Sequence, residues 1–118
     1  MTQVPVLSLD RVLGKSLHDK RALILVDIEG AEYMMLQGAT QTLINEPRPI
    51  WMMEISITEH QPEGTAMNPY FAQTFELFFA QGYRALTADQ AGLEITRDVV
   101  GQVVEGGRRL DTHNFLFR

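Results

Sequence analysis

The sequence predicts an α/β fold whose sheet opens parallel and closes on an antiparallel edge. Three observations predict it. Ala22 to Val26 is an unbroken apolar run closed by Asp27, the pattern of a strand buried on both faces of a parallel sheet. After Gly30, apolar Ala31, Met35, Ala39 and Leu43 recur at helical spacing, and a second apolar run follows over Ile50 to Ile57. Beyond Gly82 the strand-like pieces are joined by links too short for a parallel crossover, so they pair antiparallel.

In chain order, Ser8 or Asp10 can cap a helix over Leu9 to Leu17, with Leu9, Val12, Leu13 and Leu17 on one face. The polar turn His18 to Arg21 leads into the first strand. The helix after Gly30 is expected to run from Ala31 to Ile44 or Asn45, where Pro47 and Pro49 end it. The strand Ile50 to Ile57 is apolar except for Glu54 and Ser56, which share a face with Ile50 and Met52 by the two-residue period. A carboxylate inside such a strand is costly unless it is paired or functional. Glu59 to Asn68 is a polar loop. Pro69 opens a helix whose face carries Phe71, Phe75, Leu77 or Phe78, and Phe79, a phenylalanine stripe that reads as core, and Gly82 stops it. Tyr83 to Thr87 and Leu93 to Thr96 flank a hairpin-like connection; Val99 to Val104 is ambiguous; His113 to Arg118 is a final strand, with no crossover helix expected among these last strands.

The chain of 118 residues is one domain, 1–118, with ordinary globular composition. Its net charge of −5 and the absence of a basic cluster larger than Arg108-Arg109 argue against nucleic acid. No apolar run approaches the ~20 residues of a membrane helix, so no membrane partner is expected. MTQVPVLSLD lacks the basic start and apolar core of a secretory signal, and a chain with no cysteine forms no disulfide or thiolate metal site; a cytoplasmic protein is expected.

Candidate chemistry collects beyond the carboxyl ends of the strands, where open α/β sheets bind ligands. Asp27, Glu54 and His60 are the candidate catalytic residues: a carboxylate or imidazole at that end can take a proton from a bound hydroxyl. Glu29 and Glu32 are candidate substrate-binding residues. A plainer reading has Asp27 and Glu29 capping the following helix. Asp27, Glu29 and Glu54 have the hard oxygens that Mg²⁺ or Ca²⁺ favours, but no ligand spacing of a known metal loop, and no metal is expected. His18 and His113 read as surface or sheet-edge residues.

Several short motifs, taken in order, resemble the C-terminal half of the FkbM-type family of S-adenosylmethionine-dependent methyltransferases. Leu9-Asp10 followed by Val12-Leu13 resembles the family's "LD" helix start. Asp27-Ile28-Glu29-Gly30-Ala31-Glu32 resembles its D-[IV]-E-G-A-E core, and Leu36, Gly38 and Ala39 fit the L-x-G-A that follows. Glu54, Asn68-Pro69, Gly82-Tyr83 and Asn114-Phe115-Leu116-Phe117 complete the series. One departure is Leu25, where the family usually carries Lys.

The resemblance implies a partial Rossmann-like class I methyltransferase sheet that lacks the first three strands. It implies S-adenosylmethionine as cofactor and a small-molecule or sugar hydroxyl as acceptor. The family's cofactor turn is glycine-rich, and none of the nine glycines here forms a G-x-G after a strand. The residues that would bind the cofactor are therefore unknown, and the chain is expected to be the substrate-side half, inactive alone. The alternative is a non-catalytic remnant or assembly module. Without its usual neighbour, the strand Ala22 to Asp27 would offer an open edge to a second copy in a homodimer, or to a separate N-terminal half that complements it.

Overall fold

A computed structural model of the chain describes residues 5–59, 61 and 63–118. Helix α1 (Leu9–Leu13) precedes strand β1 (Leu23–Val26), then come α2 (Glu32–Gln37), α3 (Thr40–Leu43), β2 (Ile50–Glu54), α4 (Phe71–Phe79), β3 (Ala85–Thr87), β4 (Glu94–Ile95), α5 (Arg97–Val104) and β5 (Asn114–Phe117). The five strands form one sheet in the order β1-β2-β5-β3-β4. β1 and β2 are parallel, and every other pairing is antiparallel. This mixed α/β sheet is the expected class and is compatible with a methyltransferase-like fold.

The two-residue period divides the sheet into unlike faces. Trp51, Met53, Phe115, Phe117, Ala85 and Ile95 are buried on one of them, under Phe71, Phe75 and Phe78 of α4. Phe78 stacks on Phe117 at 3.8 Å between ring centroids, and Phe75 meets Phe115 edge-on at 4.9 Å. Each such ring, fully buried, adds about 1.5–3 kcal/mol to stability, with a further ~0.5–1.5 for well-oriented ring pairs. Helices α2 and α5 pack against α4. The indole N–H of Trp51 donates to the Tyr83 hydroxyl (3.2 Å), which donates to the Leu43 carbonyl (2.7 Å), so the buried polar atoms of this core are satisfied.

The other face carries a row in register, Leu25, Met52, Leu116, Leu86 and Glu94. Here the expectation that Ala22 to Val26 is buried on both faces fails. Leu23 and Leu25 remain 61% and 68% exposed, because no described helix crosses this side of β1. β1 is also the sheet's edge: among the described residues it pairs with β2 alone.

Three further expectations are corrected. The helix after Gly30 is not continuous, because Gly38 and Ala39 divide it into α2 and α3. At the break, Gly38 lies against α1's N-cap: a Cβ there would come within 2.9 Å of the Ser8 Cβ, and the Gly38 carbonyl accepts the Asp10 N–H at 3.0 Å. Strand β2 ends at Glu54 rather than Ile57, and beyond it the Asn68 side chain holds the Ser56 carbonyl (2.9 Å). The ambiguous segment is helix α5, capped by the Thr96 hydroxyl, so a helix does fit between β4 and β5. Antiparallel β5 returns between β2 and β3, and the intervening chain need not be short.

Of the two proposed caps for α1, Ser8 is the one used, accepting the Arg11 N–H at 3.2 Å. Asp10 instead reaches α3. Its carboxylate accepts the backbone N–H groups of Gln41 and Thr42 (both 2.8 Å) and the hydroxyls of Thr42 (2.7 Å) and Thr40 (3.2 Å). Partial burial pushes the Asp10 pKa up, but the bonds from Gln41, Thr42 and Thr40 outweigh it and the net shift is downward.

A carboxyl held below its unfolded value of about 3.9 stabilises the fold above that pH and loses the contribution as pH falls through the folded pKa. Asp10→Ala should therefore lower stability by about 1–3 kcal/mol at pH 7 in urea unfolding. The deficit should shrink below about pH 4; a deficit equally large at pH 2 would contradict the assignment.

Candidate functional site

Asp27 and Glu54 reach the same corner by register. Val26 lies opposite Met53, so the next residue, Asp27, falls opposite Glu54 on strands about 4.8 Å apart. Alternation turns both side chains to the uncovered face, in line with Leu25 and Met52. They line one shallow depression of about 180 Å³ with Leu25, Val26, Met52 and Asn114. Asp27 is exposed and Glu54 half-buried.

A third member of this corner escaped sequence reasoning. Glu54 lies opposite Asn114 across the antiparallel β2–β5 pair. That register brings the preceding His113 beside it, with Nε2 3.5 Å from Glu54 Oε1. His113 thus flanks a central strand, not the sheet's edge, and the half-buried carboxylate has a cationic partner whenever the imidazole is protonated. The only sequence signal was indirect: a histidine one residue ahead of a strand that could pair with β2.

The two candidate substrate contacts separate. In the turn after β1, Glu29 is exposed with a left-handed φ of 49°, and Gly30 follows at 101°. Neither Asp27 nor Glu29 caps α2; its N-cap is Ala31, with no side-chain bond. Glu32 points inward instead, only 2% exposed, and its Oε1 accepts the Gly30 N–H at 3.2 Å. Its carboxylate braces the turn that carries Glu29 rather than facing a ligand. Beside it, Tyr33 stacks on Tyr70 (4.9 Å, 11° between planes) and ties the start of α2 to the start of α4. His60 lies outside the described residues.

Next to the corner, Glu59 turns its carboxylate onto the backbone N–H groups of Ile57 (3.0 Å) and Thr58 (3.2 Å). The Ile57 bond leads in holding its pKa below the usual carboxylate range, against a smaller opposing effect of burial. Among the described residues no three His, Asp or Glu side chains are grouped to hold a metal ion.

The family-model comparison matches residues 2–85 to the methyltransferase FkbM domain. The chain belongs to the FkbM methyltransferase family. Neither curated proteins nor solved structures gave a match. The matched segment holds Asp10, the Asp27–Glu32 turn and Glu54, while Arg108 through β5 lies beyond it. The family generally uses S-adenosylmethionine. A nucleoside site of that kind needs a turn where glycines let backbone approach the ligand. At the carboxyl ends of β1 and β2, the turn after β1 holds Gly30 and the connection after β2 holds Gly64, with no G-x-G in either. Gly38 and Gly82 are crowded by Ser8 and Arg48, which is packing inside the protein. The described residues at these strand ends therefore do not supply the glycine-rich turn that the donor's nucleoside would need. No described helix is long and apolar enough to cross a membrane.

The Glu32 brace is testable. Glu32→Ala should cost about 1–3 kcal/mol and speed amide exchange at Gly30, with Glu32→Gln, which keeps an acceptor, costing less. An unchanged Gly30 exchange rate in the alanine variant would contradict the role given to this carboxylate.

Proposed function

We propose that this chain is the acceptor side of an O-methyltransferase, which moves a methyl group from S-adenosylmethionine to a hydroxyl of a small molecule or sugar. One observation carries the reading: Asp27 and Glu54 end adjacent parallel strands and line one depression, with His113 within 3.5 Å of Glu54. When a hydroxyl oxygen gains a methyl group it loses its proton, and this chain's part is to hold that hydroxyl and take the proton. Glu54 is the better placed base, since it is half-buried and His113 can balance its charge. Asp27, more exposed, orients the acceptor from the neighbouring strand. His60 is kept as a candidate base on its sequence position alone, and Glu29 as a rim contact to substrate.

The donor side is taken to come from outside these residues, in keeping with the lack of a glycine-rich turn. Calorimetry should find no micromolar binding of S-adenosylmethionine by this chain alone; such binding would contradict the division. In a complete family member carrying the same residues, Glu54→Gln and Asp27→Asn should each slow transfer by about 10²–10⁴ with the fold intact. Rates near wild type would remove them from the mechanism.

A second reading is favoured by β1, whose outer edge is unpaired among the described residues and whose Leu23 and Leu25 are exposed. We infer that two copies pair through this edge about a two-fold axis, so that the leucines of one shield those of the other. Light scattering should then report a concentration-dependent dimer that Leu25→Lys returns to monomer. A monomer at every concentration would count against self-pairing and leave the edge to a separate N-terminal half.

A further inference from the structure

A cavity of about 480 Å³, within the range of small-ligand sites, lies between the chain leaving β2, the end of α5 and the segment that enters β5. His113 belongs to both its wall and the Glu54 corner, so the cavity adjoins the carboxylates already described. Its apolar lining comes from Ile57, Met67, Val103 and Leu110. Its cations are Arg108 and Arg109, the one adjacent basic pair in the C-terminal third of an acidic chain.

Neither guanidinium is neutralised by a carboxylate among the described residues. Among the described residues, Arg108 reaches the Gln102 side-chain oxygen alone, at 3.3 Å, and Arg109 has no ion pair or side-chain hydrogen bond. Two carboxylates also line the space. Glu59 is engaged by the backbone N–H groups of Ile57 and Thr58, and Asp111 is exposed on the same segment as the arginines. Paired guanidinium groups beside an apolar wall suit a planar or tetrahedral oxyanion attached to a hydrocarbon body, because each presents a fork of N–H donors to such oxygens.

We propose that this cavity receives the acceptor and that Arg108 and Arg109 hold an anionic group on it, a carboxylate or a phosphate. The acceptor's apolar body would lie on Met67, Val103 and Leu110 and its hydroxyl at Glu54. That last placement rests on the acceptor-side reading, whereas the anion site does not.

The test is a backbone amide NMR titration of the whole chain at low ionic strength, without methyl donor. The probes are 6-hydroxyhexanoate, 6-hydroxyhexyl phosphate and 1,6-hexanediol, which share a chain and a hydroxyl and differ at one end. At least one anion should saturate shifts at Leu110, Thr112 and His113 at a tenfold lower concentration than the diol, and the tighter of the two distinguishes carboxylate from phosphate. Arg109→Gln should remove most of that preference, and Asp111→Asn should strengthen anion binding two- to threefold. A diol that binds as tightly as both anions to the unaltered chain, or shifts that map elsewhere, would overturn the proposal whatever the variants do. Anions that bind here in a protein whose Glu54 variants transfer normally would keep the cavity's assignment and remove the acceptor reading instead.

Discussion

The register of β2 against its two neighbours is the constraint on which the rest depends. A strand's side chains alternate between faces, so one residue of slippage would turn Trp51 and Met53 out of the core and bury Met52 and Glu54 in their place. On one side β2 is locked parallel to β1, with the Ile50 N–H donating to the Ala22 carbonyl at 2.9 Å. On the other it is locked antiparallel to β5, with the Ile55 N–H donating to the His113 carbonyl at 2.8 Å. The aromatic packing of Phe75 and Phe78 on Phe115 and Phe117 holds that second register, since a shifted β5 would lose both ring contacts. The same registers align Asp27, Glu54 and Asn114 on the uncovered face. Core and candidate site are thus two consequences of one alignment.

What the sequence made legible is what depends on local pattern. The apolar run before Asp27, the phenylalanine stripe of α4 and the strand at Asn114–Phe117 each carry their period within a few residues, and each is an element of the fold. The FkbM resemblance was legible for the same reason, because its motifs are short and ordered along the chain. What stayed hidden depends on contacts between distant segments. Asp10 looked like a cap for its own helix, whereas it caps α3 some thirty residues later, and nothing near Gly38 announced that α1 would break the helix there. His113 is separated from Glu54 by the whole of α4, β3, β4 and α5, so its place could follow only from the β2–β5 pairing. Glu32 illustrates a third case: a carboxylate in a recognised motif is drawn inward, where it accepts the Gly30 N–H.

The uncovered face links stability to function. Leu25 and Met52 are exposed in the same depression that Asp27 and Glu54 line, and Leu23 is exposed further along β1. Covering that face would remove apolar surface from water and would also lower the dielectric around the two carboxylates, strengthening their hold on a hydroxyl and its proton. On the reading proposed above, the corner at Glu54 would become a catalytic environment once a second strand lay against β1 and its exposed leucines. The cavity beyond His113 sits on the opposite side of Glu54 from that edge, so the two proposed contacts of this corner, an acceptor and a covering strand, would not compete for one surface.

Residue-resolved hydrogen exchange tests the arrangement from which all of this follows. Because the Ala22 carbonyl points to β2, Ile24 and Val26 share that side and the N–H groups of Leu23 and Leu25 face outward. In dilute solution, Ile24, Val26 and the amides of β2 and β5 should be strongly protected, while those of Leu23 and Leu25 exchange at close to the rate of an unfolded chain. Strong protection of Leu23 and Leu25 in a dilute monomer would mean that another strand of this same chain covers β1, and the open edge and the accounts built on it would be wrong.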